Sequence, residues 1–284
     1  MKGNQVIFMI NNFLYLVTFG LGVLFCEYAV PKIKKINLKS GSLNLPECDI
    51  PKANIIPKSS TVIIGHAYGS ATASTVDDYL ASSVLTFLRE NILNIDNIIF
   101  SGDIFLAPSS KKFQNLYSEF NNINIEISPG NHEIGRPDSR EVFYSNDFIK
   151  KDYPFYSVSN AAKILVSDSV SSDWKVDMQV DNLIKQASGE LIIVRHNIVI
   201  SELLPFANSL SGFVELPSVT QFVENYPKSN KYTWVMGDGG AFESLPRMTC
   251  HEFENHRFVV NGLGEVDGDT LLLVFGGELY AVEI

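Results

Sequence analysis

Cysteine is scarce in this chain of 284 residues, which contains only Cys26, Cys48 and Cys250. Three cysteines cannot form a framework of several disulfide bonds, and no pair has the C-x-x-C spacing of a zinc knuckle. We therefore interpret all three as ordinary thiols. Three cysteines are too few to indicate whether the protein resides in a reducing or an oxidising compartment.

Positive charge is also in short supply. The chain has 22 Lys and Arg against 32 Asp and Glu, which gives a formal net charge of -10. Because such a body repels a phosphate backbone, we expect no nucleic-acid partner, and an anionic substrate would need a local cation. Apolar residues make up 45% and aromatic residues 11%, enough for a sizeable core, which excludes a disordered or fibrous chain.

Residues 6–25 contain no charged side chain. A helix of about 20 residues spans the hydrocarbon core of a bilayer, so the run predicts a single transmembrane helix within residues 1–30. We expect an uncleaved anchor; a cleaved signal peptide is the alternative, although the residues around Ala29 form a poor cleavage site. The lysines that follow the run favour a main domain on the cytoplasmic side of the membrane.

Residues 31–60 lack helical periodicity and repeat Pro, Lys and Ser, which predicts a linker to a folded domain over 61–284. In that domain, short apolar runs predict strands that alternate at first with helices. The order β-α-β-α-β indicates a parallel sheet with polar loops at the carboxyl ends of its strands. The predicted strands are 61–65, 97–101, 123–127, 162–166, 190–194, 232–236, 257–261, 270–275 and 279–283, and the helices are 75–91, 110–120 and 178–186. Asp267-Gly268 is predicted to form a hairpin turn.

Five of the strand-ending loops carry side chains that can bind a metal ion, and we expect them to converge on one site. Carboxylate, amide oxygen and imidazole are ligands for divalent Mn, Fe or Zn. Each loop alone is weak support, because a Gly-Asp pair after a strand is usually only a turn. In chain order the loops are Gly65-His66-Ala67-Tyr68-Gly69, Ser101-Gly102-Asp103, Gly130-Asn131-His132-Glu133, Arg195-His196-Asn197 and Gly237-Asp238-Gly239-Gly240.

Together these loops resemble the signature of the calcineurin-like metallophosphoesterases, which reads Gly-Asp-x-His-Gly, Gly-Asp, Gly-Asn-His-Asp/Glu, His and Gly-His-x-His. The resemblance extends from about Thr61 to the C-terminus. It implies an α/β fold, a four-layer α/β/β/α sandwich of two mixed sheets. It also implies one or two divalent metal ions at the carboxyl ends of the central strands, and hydrolysis of phosphomonoesters or phosphodiesters.

The resemblance assigns roles position by position. Asp103 matches the carboxylate that bridges two metal ions, and Asn131 and His196 match ligands of the second ion. His132 matches the residue that faces the phosphate and protonates the leaving oxygen. Asp238 replaces the first His of the last motif, so the second ion keeps a set of four ligands.

The first metal site departs from the pattern. His66 stands where the family has Asp, Tyr68 where it has His, and Gly240 where it has the last His. The first ion keeps Asp103 and His66 as its expected ligands. A neutral Tyr is a poor ligand and Gly offers no side chain, so this site is depleted or rebuilt. His251 or Glu252 could rebuild it if their segment folds back, although ordinary surface residues are the simpler interpretation.

Two further side chains are candidates for substrate binding, Tyr68 and Arg195. The planar fork of Arg195 could hold a phosphate oxygen, or it could pair with a local carboxylate. The leading hypothesis is a membrane-tethered, metal-dependent phosphoesterase acting on a phosphate ester that is lipid-linked or glycan-linked. The alternative is a catalytically degenerate phosphoesterase-like module with a binding or assembly role at the membrane.

Overall fold

The structure is a computed structural model that describes residues 45–70, 79–208, 215–242, 244–264 and 268–284. These residues belong to one compact unit, Asn44–Ile284. The anchor predicted within residues 1–30 and the first part of the predicted linker lie outside them. Among the described residues, no helix combines the length and the apolar character that crossing a membrane requires.

The apolar runs form two mixed β-sheets. The strands are β1 (Ser60–Ile64), β2 (Ile95–Phe100), β3 (Asn124–Ile127), β4 (Phe155–Tyr156), β5 (Ile164–Val166), β6 (Glu190–Arg195), β7 (Lys231–Met236), β8 (Met248–Phe253), β9 (His256–Asn261), β10 (Thr270–Phe275) and β11 (Glu278–Glu283). The first sheet has the order β11-β10-β1-β2-β3, and the second has the order β4-β5-β6-β7-β9-β8. Strands β1 to β3 are parallel, as are β5, β6, β7 and β9. The predicted α/β class with two mixed sheets is confirmed.

Helices flank these strands. They are α1 (Ser82–Asn91), α2 (Ser110–Glu119), α3 (Asn131–Ile134), α4 (Pro137–Ser145), α5 (Met178–Gln186) and α6 (Val219–Val223), with a 3-10 helix at Ser201–Phe206. Capping side chains begin three of them, since Ser109 accepts the amide of Lys112, Asp177 that of Gln179 and Ser218 that of Gln221. The helices predicted over 110–120 and 178–186 are confirmed. The helix predicted from residue 75 is described only from Ser82.

The buried apolar side chains form three clusters, because successive side chains of each strand point to opposite faces of its sheet. On β1, Val62 and Ile64 pack with the side chains of α1 and α2, whereas Ile63 packs between the two sheets. On β6, Ile193 packs with α5 and α6, whereas Val194 packs between the sheets. Successive side chains of a strand point to opposite faces, so each fully apolar run supplies two clusters.

The lead-in segment, residues 45–56, covers one edge of each sheet. The amide of Cys48 donates to the carbonyl of Cys250 on β8, at 3.0 Å. Farther along, the amide of Ala53 donates to the carbonyl of Ala281 on β11, at 2.9 Å. Over its described part, the linker predicted for 31–60 therefore differs from the structure, because backbone pairing holds this part against the domain.

A disulfide bond joins Cys48 and Cys250, with 202 positions between them in the sequence and 5.1 Å between their Cα atoms. The interpretation of these two cysteines as ordinary thiols is therefore wrong. The pairing leaves no spacing signal in the sequence, because it depends on the lead-in segment lying beside β8.

The hairpin predicted at Asp267-Gly268 is also wrong. It falls in the connection between β9 and β10, and these strands belong to different sheets; Asp267 itself lies outside the described residues. The observed hairpin in the last part of the chain joins β10 and β11 through Gly276 and Gly277, which have φ of 59° and 88°. Glycine adopts such positive φ values at no steric cost.

His256 is a buried histidine far from the polar loops in sequence. Its Nδ1 accepts a hydrogen bond from Trp234 Nε1 at 3.1 Å, and its Nε2 has no hydrogen-bond partner among the described residues. Because burial penalises the charged ring, it lowers the pKa of His256 to about 4. The folded chain therefore keeps this ring neutral at a pH where the unfolded chain protonates it.

We expect acid to destabilise the protein through His256. Between the ordinary pKa of 6.5 and about 4, the unfolded state binds a proton that the folded state does not, so stability falls as pH falls. From about pH 7 to about pH 5, the wild type should lose roughly 2 kcal/mol more unfolding free energy than His256→Gln. Urea unfolding of both full chains at the two pH values measures this difference, and equal losses would contradict it.

Candidate functional site

The loops that follow β1, β2, β3, β6 and β7 come together around Asp103. One carboxylate oxygen, Oδ2, lies 3.5 Å from His66 Nε2 and 3.9 Å from His132 Nε2. The other, Oδ1, lies 3.6 Å from His196 Nε2. Close packing of backbone makes this possible, since a Cβ at Gly102 would collide with the His196 ring. Three imidazoles from different parts of the chain thus meet at one buried carboxylate.

Glu133 fixes the loop that carries Asp103. Its carboxylate accepts the amides of Asp103 and Ile104, both at 2.8 Å, and the amide of Gly130 at 2.9 Å. Asp103 itself has a positive φ of 54°, which Asp tolerates better than most residues. The motif Gly-Asn-His-Glu predicted roles for its Asn and His, but sequence reasoning gave none to Glu133. Its three amide contacts make it a positioning residue.

The two buried carboxylates differ in charge environment. Burial raises the pKa of Asp103, but His196, His132 and His66 outweigh it and hold that pKa below its ordinary value. For Glu133, burial and then the nearby Asp103 raise the pKa. Asp103 is therefore the stable negative charge of the site.

His196 is completely buried and faces hydrogen-bond acceptors on both ring nitrogens. Nε2 lies 2.9 Å from Asn131 Oδ1, and Nδ1 lies 3.2 Å from the carbonyl oxygen of Ser101. Nε2 is also 3.9 Å from the carboxylate of Asp238. Burial lowers the pKa of His196, but Asp103 and then Asp238 raise it above its ordinary value. In this arrangement, the positive charge of a protonated His196 offsets part of the negative charge of Asp103 and Asp238.

His66 and Tyr68 form a neutral pair on the other side of Asp103. The Tyr68 hydroxyl donates to His66 Nε2 at 3.0 Å, while His66 Nδ1 lies 3.1 Å from the carbonyl oxygen of Gly69. Burial lowers the pKa of His66 to about 4 and raises the pKa of Tyr68 well above its ordinary value. Neither side chain carries charge near neutral pH, so the pair adds hydrogen-bonding groups but no charge.

His132 is the most exposed of the three histidines around Asp103, with 22% of its side chain accessible. Its Nδ1 lies 2.8 Å from the carbonyl oxygen of Leu106, which requires the proton on Nδ1 and fixes the ring. Its Nε2 then faces Asp103, and its backbone amide donates to the same carboxylate at 3.0 Å. The geometry allows Nε2 to exchange a proton with a molecule that enters from solvent.

The donors at this site fit one divalent cation in their chemistry. Among the described residues, no group of three or more His, Cys, Asp and Glu side chains is spaced so that it could hold a metal ion as it stands. However, His196 Nε2 lies 3.6 Å from Asp103 and 3.9 Å from Asp238. Neighbouring ligand atoms on a Zn ion lie about 3 to 3.5 Å apart. In the type of donor, one imidazole nitrogen and three oxygens, Asp103, Asn131, His196 and Asp238 suit a divalent cation, but they would have to move closer together to bind one.

The structure directs Arg195 away from this site. Its guanidinium is buried and donates to the backbone carbonyls of Asn197, at 2.7 Å, and of Trp174. Substrate binding by Arg195 is therefore a wrong prediction, and no salt bridge to a carboxylate is found for it among the described residues. The residue instead joins the start of the loop after β6 to the loop before α5, an arrangement that no sequence pattern reveals.

The structure also does not bring His251 or Glu252 to the first metal site. Both residues lie on β8, an edge strand of the second sheet. The His251 ring stacks on Phe206 at 5.2 Å, and Glu252 pairs with Arg257 at 2.9 Å. Their side chains are engaged elsewhere, so His66 is the added imidazole next to Asp103.

No family model matches the chain, and no curated protein sequence matches it. Among solved structures, the chain is similar to the 5'-nucleotidase from Candida albicans SC5314, with 12% sequence identity and a TM-score of 0.41. The similarity covers 79% of this chain and 49% of that one. The chain thus spans about half the length of that protein.

Proposed function

We propose that this domain is a phosphoesterase-like hydrolase that cleaves a phosphomonoester or phosphodiester with the help of a divalent cation, Mn, Fe or Zn. The observation that carries the proposal is the convergence of three imidazoles on the buried carboxylate of Asp103, within 3.5 to 3.9 Å. The three apolar clusters around and between the two sheets also suit the four-layer sandwich that the sequence motifs imply.

Four residues would hold the cation: Asp103, Asn131, His196 and Asp238. A divalent cation bound there supplies positive charge that polarises a phosphoryl oxygen. The chain is acidic overall, so this local charge is what would attract an anionic substrate. Glu133 keeps Asp103 in place through the loop amides.

His132 would supply the proton for the leaving oxygen. The contact from Nδ1 to the Leu106 carbonyl holds the ring, and Nε2 remains directed into the site. Partial exposure gives the ring access to solvent for reprotonation. General acid catalysis of this kind contributes roughly 10²- to 10⁴-fold to a rate.

The domain is further proposed to be tethered to a membrane by the apolar run within residues 1–30, with a lipid-linked or glycan-linked phosphate as substrate. The bond between Cys48 and Cys250 supports an oxidising compartment, because cytosolic thiols are kept reduced. We therefore place the domain on the exoplasmic side, opposite to the side that the lysine distribution favours.

The test is hydrolysis of two phosphate esters by the full chain with added Mn²⁺, one with an aryl leaving group and one with an alkyl leaving group. We expect His132→Ala to lower the rate on the alkyl ester by about 10²-fold or more, and the rate on the aryl ester much less. An aryl oxyanion needs little protonation, so the difference identifies a proton donor. His251→Ala is the matched control, since it removes a buried histidine outside the site.

The second candidate function is a degenerate module that binds a partner and does not hydrolyse esters. The direct hydrogen bond between His196 and Asn131 favours it, because two of the proposed cation ligands bind each other in this contact. The same assay decides between the two functions. Equal background rates from the wild type and His132→Ala, with either ester, would support the module and overturn the hydrolase.

A further inference from the structure

We infer that the centre holds one divalent cation, and that the hydrogen-bonded pair of His66 and Tyr68 takes the place of a second. This inference rests on the proposed function, because it concerns the same site. It follows from the different surroundings of the two carboxylate oxygens of Asp103.

On the Oδ1 side of Asp103, four potential donors lie close to one another. His196 Nε2 lies 3.6 Å from this oxygen, and Asn131 and Asp238 approach the same nitrogen at 2.9 and 3.9 Å. Counting Asp103, one imidazole nitrogen and three oxygens are available on this side. Such a mixed set suits a single borderline or hard divalent cation.

The Oδ2 side has too few donors for a second cation. His66 Nε2 lies 3.5 Å away, but it already accepts the hydroxyl proton of Tyr68 at 3.0 Å. Tyr68 is buried, with 3% of its surface exposed, so its phenol stays against His66 and does not turn to solvent. His132, also on this side, is held by the Leu106 carbonyl. One imidazole and one shared carboxylate oxygen are too few ligands for a second cation.

The loop after β7 cannot supply the missing ligand. Gly240 has a φ of 78°, and a Cβ at this position would collide with the carbonyl oxygen of Gly262. Any side chain at 240 would therefore require the backbone to move. The small number of ligands on the Oδ2 side thus follows from the backbone conformation at Gly240 as well as from the side chains present.

The experiment counts the bound ions. The full chain is freed of metal, titrated with Mn²⁺ and followed by equilibrium dialysis with elemental analysis and by electron paramagnetic resonance. We expect about one equivalent of Mn²⁺ with the hyperfine pattern of an isolated ion. About two equivalents with the pattern of a spin-coupled pair would overturn the inference but leave the proposed function standing. No bound Mn²⁺ would overturn both.

A variant tests the role of the pair itself. The double substitution H66D/Y68H replaces the neutral pair by a carboxylate and an imidazole next to Asp103, so we expect it to bind about one further equivalent of Mn²⁺. Circular dichroism checks that it folds. A folded variant that still binds only one ion would show that the pair is not what excludes the second. If the variant does not fold, the wild-type count and spectrum decide alone.

Discussion

Replacing Asp103 by Asn will remove the proposed Mn²⁺ binding and lower the proposed phosphoesterase activity by about 10²- to 10³-fold, the size of loss expected when a central electrostatic group is deleted. The carboxylate lies within 3.5 to 3.9 Å of His66, His132 and His196. The amide of Asn keeps an oxygen for the His132 backbone N–H but loses the negative charge. Dialysis with Mn²⁺ and ester hydrolysis measure the two losses.

The control for this substitution is Asp96→Asn. Asp96 is an exposed carboxylate on β2, the strand that leads to Asp103, so its loss should leave both Mn²⁺ binding and hydrolysis unchanged. Thermal melting of the variants verifies that each is folded. A folded Asp103→Asn variant that binds Mn²⁺ as tightly as the wild type would refute the assignment of Asp103 as the central ligand.

Removing the disulfide with C48S/C250S will lower the melting temperature by up to about 10 °C. Closing a loop of 202 residues stabilises a folded chain by at most about 5 kcal/mol, according to the chain-entropy account. The bond also holds the lead-in segment beside β8, so its loss frees the backbone pairing at that edge. Thermal melting with and without a reducing agent measures the effect.

Two comparisons make this prediction specific. The wild type should melt at a lower temperature in reducing agent, whereas C48S/C250S should melt at the same temperature in both conditions. C26S, which changes the remaining cysteine, should behave like the wild type. An equal melting temperature of the wild type with and without reducing agent would contradict a stabilising disulfide bond.

Elements built from side-chain patterns could be predicted from the sequence. The run 191–194 is apolar throughout, and it forms the buried part of β6 because both faces of that strand are covered. The loop Gly130-Asn131-His132-Glu133 has small residues and polar side chains where packing offers no reason for them. In the structure, two of these side chains and the amide of His132 face the Asp103 site.

Contacts made by backbone groups could not be predicted in this way. The lead-in segment pairs with β8 and β11 through amides and carbonyls, which every residue has, so no side-chain pattern marks it. The same holds for Arg195, whose acceptors are backbone carbonyls from the loop before α5. His66 lies between these two cases. Its position in the motif is visible in the sequence, but its positive φ of 54° and its contact with Tyr68 are not.

We expect the lead-in segment also to limit self-association of the domain. Strand edges with free amides and carbonyls are templates for pairing with another chain, and β8 and β11 are outer strands of the two sheets. A shortened chain that begins at Thr61, where the first predicted strand starts, would uncover both edges at once. Recombinant versions intended for crystallisation should therefore keep residues 45–60, or they risk aggregating through the surfaces that this segment shields.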